Sequence, residues 1–544
     1  MDRPPARRSF RRHRPCGKLP RRRSHLHGRA AANGEERWQR VRRNDGVRAK
    51  RVRPQSIPRV PTGVEQLDII LNGGFLKGGS YIVAGHPGTG KTIFGNQISF
   101  RHVALGGKAL YISLLAETHG RMLAHISTMS FYDPDVIGKA VQYVSGYEVL
   151  HTEKLKGLLN LIRKTIKRFG STLLVIDGII TAERTAESAE EFKVFIHELN
   201  VVIAMLGCTA VLLTNNLQDE RSYAARTMVD GLIQLDDVMD GVRAVRQLVV
   251  LKFRGSEHLR GAHFFEIGRD GLQVYARVEA RLAVPTNVPQ VSTEHSGFGI
   301  RDLDEMMGGG PSVGTATLVL GSSGTGKTIL GMHFLSEGAR QKQPGLYFGF
   351  FESPSRFLKK GDQLGLQLSK YAGNGLLEVI WHPTGAAIMD ALAERLFEAV
   401  RRREVKRVVI DGIAGFEESV VRPERLGIFL TSVANELRGL GVTTVLTEEM
   451  RELFGPEVTI PVSGVSGFAE NIILVRQLET VSELRRAIAV MKTRETSHDA
   501  RLRELMITDK GIGIGDPFAS EEAVITGGSS RRPPAAPAAP RRGG

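Results

Sequence analysis

The chain has 544 residues, of which 41% are hydrophobic and 24% are charged, as in an ordinary soluble protein of up to about three domains. No apolar run approaches the ~18–20 residues of a membrane span, and no secretory signal pattern is present, so we expect no membrane association. The two cysteines, Cys16 and Cys208, are far apart and lack metal-ligand spacing. This excludes a disulfide framework and a zinc site, and it predicts a cytoplasmic location.

The net charge of +16 comes almost entirely from the amino terminus. Residues 1–53 hold 19 Lys and Arg against 4 Asp and Glu, residues 516–544 hold 4 against 3, and the stretch between them has 51 of each. We therefore predict disordered tails over 1–55 and 519–544 around a neutral folded part. The basic tail is either an arm that binds nucleic acid or anionic lipid, or a solvated extension, or the result of a start codon placed too early. Nucleic-acid binding is expected only through this tail.

Between the tails the chain repeats itself once. TGVEQLDIILNGGFLKGGSYIVAGHPGTGKT (62–92) resembles SGFGIRDLDEMMGGGPSVGTATLVLGSSGTGKT (296–328), and two glycine-rich motifs in them begin 236 residues apart. LLVID and RVVID follow at an offset of 234 residues, and KFRGSEH and KTRETSH at an offset of 240. This order predicts two copies of one domain, over 56–283 and 293–518, joined by a linker over 284–292.

In chain order, each copy alternates short apolar runs with amphipathic stretches. The runs are SYIVA, ALYISL, VQYVS, TLLVID and AVLLTN in the first copy, and TATLVL, GLYFGF, LEVIW, RVVID and TTVLT in the second. Such runs predict an α/β fold with a mainly parallel sheet and helices on both faces. Three closely spaced runs follow in each copy, IQLDD, QLVVLKF and HFFEIG, then IILVRQL, AIAVMK and RELMIT. We expect them to form an antiparallel extension of the sheet.

The glycine-rich motif of each copy fits GxxxxGK[ST] and follows an apolar run, as a phosphate-binding loop does. Its backbone N–H groups would surround the phosphates of ATP, its lysine would reach the β- and γ-phosphates, and its threonine would ligate Mg²⁺. A chance glycine-rich turn is the alternative, but two motifs at equivalent positions argue against it. The predicted nucleotide-binding residues are Gly85, Gly88, Thr89, Gly90, Lys91 and Thr92, then Gly321, Ser323, Gly324, Thr325, Gly326, Lys327 and Thr328.

Two pairs of acidic residues occupy the positions that phosphoryl chemistry requires. Asp177 and Asp411 each end an apolar strand, which is the place of the Walker-B aspartate that holds Mg²⁺. Glu117 and Glu352 follow the strand after the phosphate-loop helix, where a carboxylate can polarise the attacking water or hydroxyl. The alternative is that all four are turn or helix-capping residues.

A basic segment recurs near the end of each copy, and its residues alternate along a predicted strand remote from their own phosphate loop. We predict that the lysine and arginine act on the γ-phosphate of a nucleotide bound by a neighbouring subunit, which implies a ring. A solvated basic strand face is the alternative. The residues are Lys252, Arg254 and His258 in the first copy and Lys492, Arg494 and His498 in the second.

Together these motifs resemble the KaiC family, the double-domain RecA-like ATPases of the bacterial circadian clock and their non-clock relatives. The resemblance covers about 58–518, and RAIAVMKTRETSHDARLRELMITDKGIGI is particularly similar to the end of the family's second domain. It implies a homo-hexamer of two stacked rings with ATP at each subunit interface and with regulatory protein partners. It also implies ATP hydrolysis in the first ring and autokinase and autophosphatase chemistry in the second.

The chain departs from the clock members of the family at three places. Each site keeps one glutamate, Glu117 or Glu352, where those proteins have two adjacent ones. Their paired Ser-Thr phosphoacceptors align with Ser466 and a glycine, and Glu495 replaces a glycine of the second basic segment. Ser466 is therefore either a single phosphoacceptor or a loop serine, and a two-site phosphorylation cycle cannot operate.

The sequence thus predicts a KaiC-like ring protein that binds and hydrolyses ATP with Mg²⁺, and it leaves open a serine/threonine autokinase activity with a signalling role. A DNA-dependent motor related to recombinases or helicases is one alternative, although the neutral folded part lacks the charge to line a polynucleotide channel. The other is a nucleotide-gated scaffold with little turnover.

Overall fold

A computed structural model describes residues 57–215, 226–284, 286–287, 292–383, 387–450, 464–479 and 483–518. The predicted tails and most of the predicted linker lie outside these residues. From Pro58 onward the described chain forms one compact unit. Among the described residues, no helix combines the length and the apolar character that crossing a membrane requires.

The first lobe, residues 58–277, contains eleven described strands and six α-helices whose full bounds are described, besides a 3-10 turn at Pro134–Val136 and helical residues 226–228. Its helices are α1 (Glu65–Ile70), α2 (Lys91–Ala104), α3 (His119–Ile126), α4 (Tyr147–Phe169), α5 (Ile179–Thr185) and α6 (Ala189–Leu206). Its strands are β1 (Arg59–Val60), β2 (Phe75–Leu76), β3 (Ser80–Gly85), β4 (Ala109–Ser113), β5 (Val141–Ser145), β6 (Leu173–Asp177), β7 (Thr209–Thr214), β8 (Gly231–Asp240), β9 (Arg243–Phe253), β10 (Ala262–Gly268) and β11 (Gly271–Tyr275).

The second lobe, residues 278–518, repeats this plan. Its described helices are α7 (Val278–Arg281), α8 (Arg301–Met306), α9 (Lys327–Arg340), α10 (Pro354–Gln363), α11 (Leu368–Gly373), α12 (Met389–Arg403), α13 (Ala414–Glu417), α14 (Leu426–Gly439) and α15 (Val465–Phe468). Its strands are β12 (Ala316–Gly321), β13 (Gly345–Gly349), β14 (Leu377–Trp381), β15 (Arg407–Asp411), β16 (Thr443–Glu449), β17 (Asn471–Glu479), β18 (Leu484–Lys492), β19 (Arg503–Thr508) and β20 (Gly511–Pro517).

Each lobe is built on one nine-stranded sheet, which confirms the predicted α/β fold. The strand orders are β11-β10-β9-β8-β3-β7-β6-β4-β5 and β14-β13-β15-β16-β12-β17-β18-β19-β20. The strands that end at Gly85 and Gly321 lie in the middle of these sheets. Because parallel strands end at one edge, their loops gather there, as in other open α/β sheets that bind ligands at this edge.

The predicted antiparallel extension is confirmed, because its three runs pair antiparallel with one another in each lobe. The first of its three runs forms β8 in one lobe and β17 in the other, and both strands pair in parallel with the central strand. The extension also includes β11 and β20, which were not predicted from the sequence. GLQVY and GIGIGDP contain glycine, which is uncommon in strands, so these segments do not stand out as strands.

The central strands are apolar throughout because helices cover both faces. All six residues of β3 are buried. Val83 packs in a cluster with Phe94 of α2, whereas Ile82 packs in a different cluster with Phe195 of α6. Successive side chains of a strand point to opposite faces, so both must be apolar.

The two lobes are joined by a buried contact around α7. Val278 and Leu282, which lie on the first-domain side of the predicted boundary, belong to the hydrophobic core of the second lobe. Arg425 binds Glu279 through Nε and Nη2 at 2.7 and 2.9 Å, and its Nη2 binds Asp390 at 2.9 and 3.1 Å. A guanidinium between two carboxylates fixes the chain that leaves the first lobe onto the second.

Candidate nucleotide sites

Each phosphate loop turns from a central strand directly into a helix. Gly90 and Gly326 form the N-caps of α2 and α9 with φ angles of 94° and 106°. This left-handed backbone favours glycine, and a Cβ on Gly90 would approach Ile267 Cδ1 at 2.5 Å. The helix N-termini therefore point their free N–H groups at the loop, which is a geometry that binds phosphate.

The loop lysines lie inside their own loops. Lys91 Nζ donates to the carbonyl oxygens of Gly85 and His86, both at 2.8 Å. Lys327 Nζ donates in the same way to Gly321 at 2.7 Å and Ser322 at 2.8 Å. Burial lowers the pKa of both lysines, and this shift is opposed by Asp177 at Lys91 and by Glu449 and then Asp411 at Lys327. Phosphate oxygens would thus meet ammonium groups already positioned in the loop.

The loop threonines and the predicted Walker-B aspartates come together in both lobes. Thr92 Oγ1 is 3.0 Å from Asp177 Oδ2, and Thr328 Oγ1 is 3.0 Å from Asp411 Oδ2. Burial raises the pKa of Asp177, while hydrogen bonds from Tyr111 and Thr92 and the charge of Lys91 oppose the rise. The pair combines a hydroxyl and a carboxylate beside the phosphate loop.

In each lobe, a tyrosine that was not predicted from the sequence also binds the Walker-B aspartate. Tyr111 Oη donates to Asp177 Oδ2 at 2.8 Å, and Tyr347 Oη donates to Asp411 Oδ2 at 2.7 Å. Both tyrosines lie on the strand beside the aspartate, on the same face and two residues before the strand end. Their equal position in the repeat, 236 residues apart, was the available signal.

Glu117 and Glu352 lie near these pairs but are more exposed. Each follows the strand whose last residue is in register with the Walker-B aspartate. Glu117 forms long ion pairs with Arg121 and His125, at 3.8 and 3.9 Å. Glu352 is 3.7 Å from Lys360 Nζ. No side-chain cap bond is made at the N-cap of the helix that follows either glutamate, so the structure gives no support to the capping alternative.

The basic segments do not run along one strand as predicted, because β9 ends at Phe253 and β18 ends at Lys492. The residues beyond these points, Arg254, His258, Arg494 and His498, lie in the loops that follow. Gly255 takes a left-handed φ of 74°, which turns the first of these loops away from the strand direction.

The lysines and arginines of these segments bind backbone carbonyls. Lys252 Nζ and Arg254 Nη2 both donate to Thr227, at 3.0 and 2.7 Å. In the second lobe, Lys492 Nζ donates to Ala469 at 3.1 Å and Arg494 Nη2 donates to Ser466 at 3.2 Å. In each lobe, a lysine and an arginine therefore bind the short segment that leads into β8 or β17.

Strand register places these pairs at the edge of the sheet opposite to their own phosphate loops. Phe253 is in register with Gly231 of β8, and Gly231 is in register with Tyr81 at the beginning of β3. The loop begins at the other end of β3, roughly 13 Å away at the usual rise per residue. The expected remoteness of Lys252 and Arg254 from their own site therefore agrees with the fold.

The histidines and the phosphoacceptor candidate share this edge. His258 contacts the ring of Phe253 with a centroid distance of 6.3 Å, and His498 Nδ1 is 3.0 Å from Thr493 Oγ1. Ser466 lies exposed on α15, directly before β17. Because β17 begins beside the start of β12, Ser466 is also remote from the phosphate loop of its own lobe.

The two sites differ on the strand next to the Walker-B strand. Leu213 and Thr447 are in register with the aspartates of the first and second site. Thr447 Oγ1 donates to Asp411 Oδ1 at 2.6 Å, which a leucine cannot do. The next residue, Glu448, is buried, and burial together with Glu417 raises its pKa to about 7. Only the second site has these polar groups at this edge.

The residues present fit Mg²⁺. This ion prefers oxygen ligands, and it is usually held by one or two protein groups together with phosphate oxygens and water. Thr92 with Asp177, and Thr328 with Asp411, offer one hydroxyl and one carboxylate each. Within the described part of the chain, no group of three or more His, Cys, Asp or Glu could hold a metal alone, so the phosphates would complete the shell.

A central parallel sheet, a phosphate loop and a Walker-B strand in each half define a tandem RecA-like ATPase. The model of the KaiC ATPase family matches residues 60–279 and again residues 297–518. The chain therefore belongs to the KaiC ATPase family, with two ATPase domains that bind ATP.

Curated relatives agree with this assignment over nearly the whole chain. The circadian clock oscillator protein KaiC of Thermostichus vulcanus is 27% identical, over 87% of this chain and 92% of its own. KaiC of Prochlorococcus marinus subsp. pastoris is 26% identical over 87% of this chain and 94% of its own. KaiC 1 of Synechocystis is 25% identical over 88% and 93%.

Proposed function

We propose that this protein is a Mg²⁺-dependent ATPase that works as a ring, with nucleotide at each subunit interface, and that its second lobe phosphorylates Ser466. The observation that carries the proposal is the repeated geometry of a basic pair opposite to its own phosphate loop. In both lobes the loop, Thr and Asp lie at one edge of the sheet, and Lys and Arg lie at the other. A site of this kind is complete only when a second subunit supplies the basic edge.

In such an interface each group of the chain has a separate task. Lys91 and the loop N–H groups bind the phosphates, while Thr92 and Asp177 would hold Mg²⁺, which neutralises phosphate charge when bound. Glu117 would orient the attacking water and accept its proton. Arg254 of the neighbour would stabilise the charge that develops on the transferred phosphoryl group. The second lobe repeats these tasks with Lys327, Thr328, Asp411, Glu352 and Arg494.

The shared interface predicts complementation between two inactive variants. With Lys327→Ala present throughout to silence the second site, Arg254→Ala and Lys91→Ala should each lower hydrolysis about a thousandfold or more. An equal mixture assembled from nucleotide-free subunits should recover activity, because roughly a quarter of its interfaces pair an intact loop with an intact arginine.

The measurement is steady-state phosphate release from the mixture and from each variant alone. Arg260→Ala, which changes an exposed arginine of the same loop, serves as the control and should keep parental activity. A mixture no more active than its components would contradict the shared site.

Ser466 supplies a separate test of the kinase part. Its exposed position on α15 and the bond from Arg494 to its carbonyl support a role at the basic edge, which would face the nucleotide of a neighbouring subunit. After incubation with Mg-ATP, the intact mass should rise by one phosphate that maps to Ser466. The phosphate should be absent from Ser466→Ala and from Lys327→Ala but present in Lys91→Ala. No added mass would contradict the kinase activity and leave a ring ATPase, whereas a phosphate at another residue would contradict the assignment of Ser466.

A regulatory role follows from the same proposal. A single reversible phosphate at a subunit interface adds negative charge beside Arg494, which would change the affinity between neighbouring second lobes. Such a ring would have two states that a partner protein could distinguish. The cytoplasmic location and the partner proteins stay predictions from the sequence.

A further inference from the structure

The Walker-B aspartates of the two sites are held by different numbers of hydroxyl groups. In the first site, Asp177 Oδ2 accepts from Thr92 and Tyr111. Among the described side chains, none donates a hydrogen bond to its other oxygen. In the second site, Asp411 Oδ2 accepts from Thr328 and Tyr347, and Oδ1 accepts from Thr447.

The tyrosines are rigidly placed for this contact. The Tyr111 ring is completely buried, packs at a tilt against Tyr143 with a centroid distance of 5.3 Å, and contacts Gly95 of the phosphate-loop helix. The Tyr347 ring packs on Phe357 with a centroid distance of 3.8 Å. A buried tyrosine whose hydroxyl donates to an aspartate has few alternative orientations. Its hydrogen bond therefore fixes the rotation of the aspartate carboxylate.

Thr447 is held in the same way on the other side of Asp411. Its Oγ1 accepts from the Gly412 N–H at 2.8 Å and donates to Asp411 Oδ1 at 2.6 Å. Both oxygens of this carboxylate are therefore fixed by groups that do not bind the nucleotide. Leu213, at the equivalent place in the first lobe, offers no such bond.

From this arrangement we propose that Tyr111 and Tyr347 are positioning residues that orient the Walker-B carboxylates toward Mg²⁺, and that Thr447 adds a second positioning hydroxyl in the second site alone. Besides the loop threonine, one described hydroxyl group, that of Tyr111, binds the aspartate of the first site. Two hydroxyl groups, those of Tyr347 and Thr447, bind the aspartate of the second site. The inference rests on the proposed Mg²⁺ role of Asp177 and Asp411. It goes beyond that role by naming what sets the metal affinity of each site.

The consequence is a different metal response of the two sites to the same substitution. Hydrogen-bond partners of metal ligands typically change metal affinity by about 10–100-fold when removed. Tyr111→Phe leaves the ring packing intact but frees Asp177 to rotate, so the Mg²⁺ concentration at half-saturation should rise about tenfold. Tyr347→Phe should raise it by less than about threefold, because Thr447 still holds Asp411. Tyr347→Phe combined with Thr447→Val should raise it about tenfold.

The test is a Mg²⁺ titration of the binding of a fluorescent, non-hydrolysable ATP analogue to the full chain. Lys327→Ala isolates the first site and Lys91→Ala isolates the second. Tyr143→Phe is the matched control, since it removes a hydroxyl that binds Asn96 at 2.8 Å rather than the aspartate. Thermal unfolding of each variant is measured in parallel, because a merely structural tyrosine would lower the melting temperature without moving the Mg²⁺ midpoint.

A midpoint for Tyr111→Phe that stays within about twofold of its parent, or that falls, would overturn the inference. So would an equal rise in Tyr347→Phe and in the double variant. If the parent proteins bound the analogue without any response to Mg²⁺, the proposed role of the aspartates would fail as well, and this outcome is visible before any tyrosine is changed.

Discussion

ATP hydrolysis should fall about a thousandfold or more in a chain that carries both Lys91→Ala and Lys327→Ala. Each ammonium group lies within hydrogen-bonding distance of its own loop carbonyls, and burial lowers its pKa. Bound phosphates would offer it a charged partner in place of neutral carbonyls, and hydrogen bonds between charged groups are the stronger ones. Both binding and the stabilisation of transferred charge would be lost.

Nucleotide stoichiometry resolves the two sites. The parent chain should bind two nucleotides, each single variant one, and the double variant none, as measured by equilibrium binding of a labelled ATP analogue. Lys77→Ala is the control, since Lys77 is an exposed lysine just before the strand that leads into the first loop. Two nucleotides bound to the double variant would contradict both assignments.

The second large effect concerns stability. Arg425→Ala should reduce the free energy of unfolding by about 3–5 kcal/mol, because it leaves the buried Asp390 carboxylate without its cation and Glu279 with Arg277 alone. The Asp390 side chain is fully buried and that of Glu279 is 8% exposed, so water cannot replace the guanidinium. Burial alone would raise the pKa of Glu279, yet the bonds from Arg425 lower it, which shows how strongly the pair is coupled.

Urea denaturation followed by circular dichroism gives the measurement, with Arg422→Ala as the matched control. Arg422 lies three residues away and is exposed, so its removal should change the free energy of unfolding by no more than about 0.5 kcal/mol. A loss in Arg425→Ala no greater than that of the control would show that the buried contact contributes nothing.

The sequence was sufficient for the features that depend on short, contiguous patterns. A phosphate loop needs glycine at particular backbone angles and a lysine and threonine directly after them, so Gly90, Lys91 and Thr92 are visible in the chain itself. Asp177 and Asp411 each end a strand, as their apolar runs indicated, and their Mg²⁺ role stays a prediction. The repeat strengthened these predictions, since a chance match seldom recurs at a constant offset.

Features that depend on contacts between distant segments were not predictable in this way. Tyr111 reads as one more apolar strand residue, and only the pairing of β4 with β6 shows that its hydroxyl meets Asp177. The parallel direction of β8 depends on its pairing with β3 rather than on its composition. Arg425 lies in an unremarkable turn, and its carboxylate partners are 146 and 35 residues away.

The position of α7 determines where the chain can be divided into separate lobes. Val278 and Leu282 precede the linker in the chain but fill the core of the second lobe. A fragment cut at the linker would therefore keep one phosphate loop yet expose an apolar cavity and leave Arg425 and Asp390 without Glu279. The two lobes share one plan, but they are not interchangeable, because residues that precede the linker fill part of the core of the second lobe.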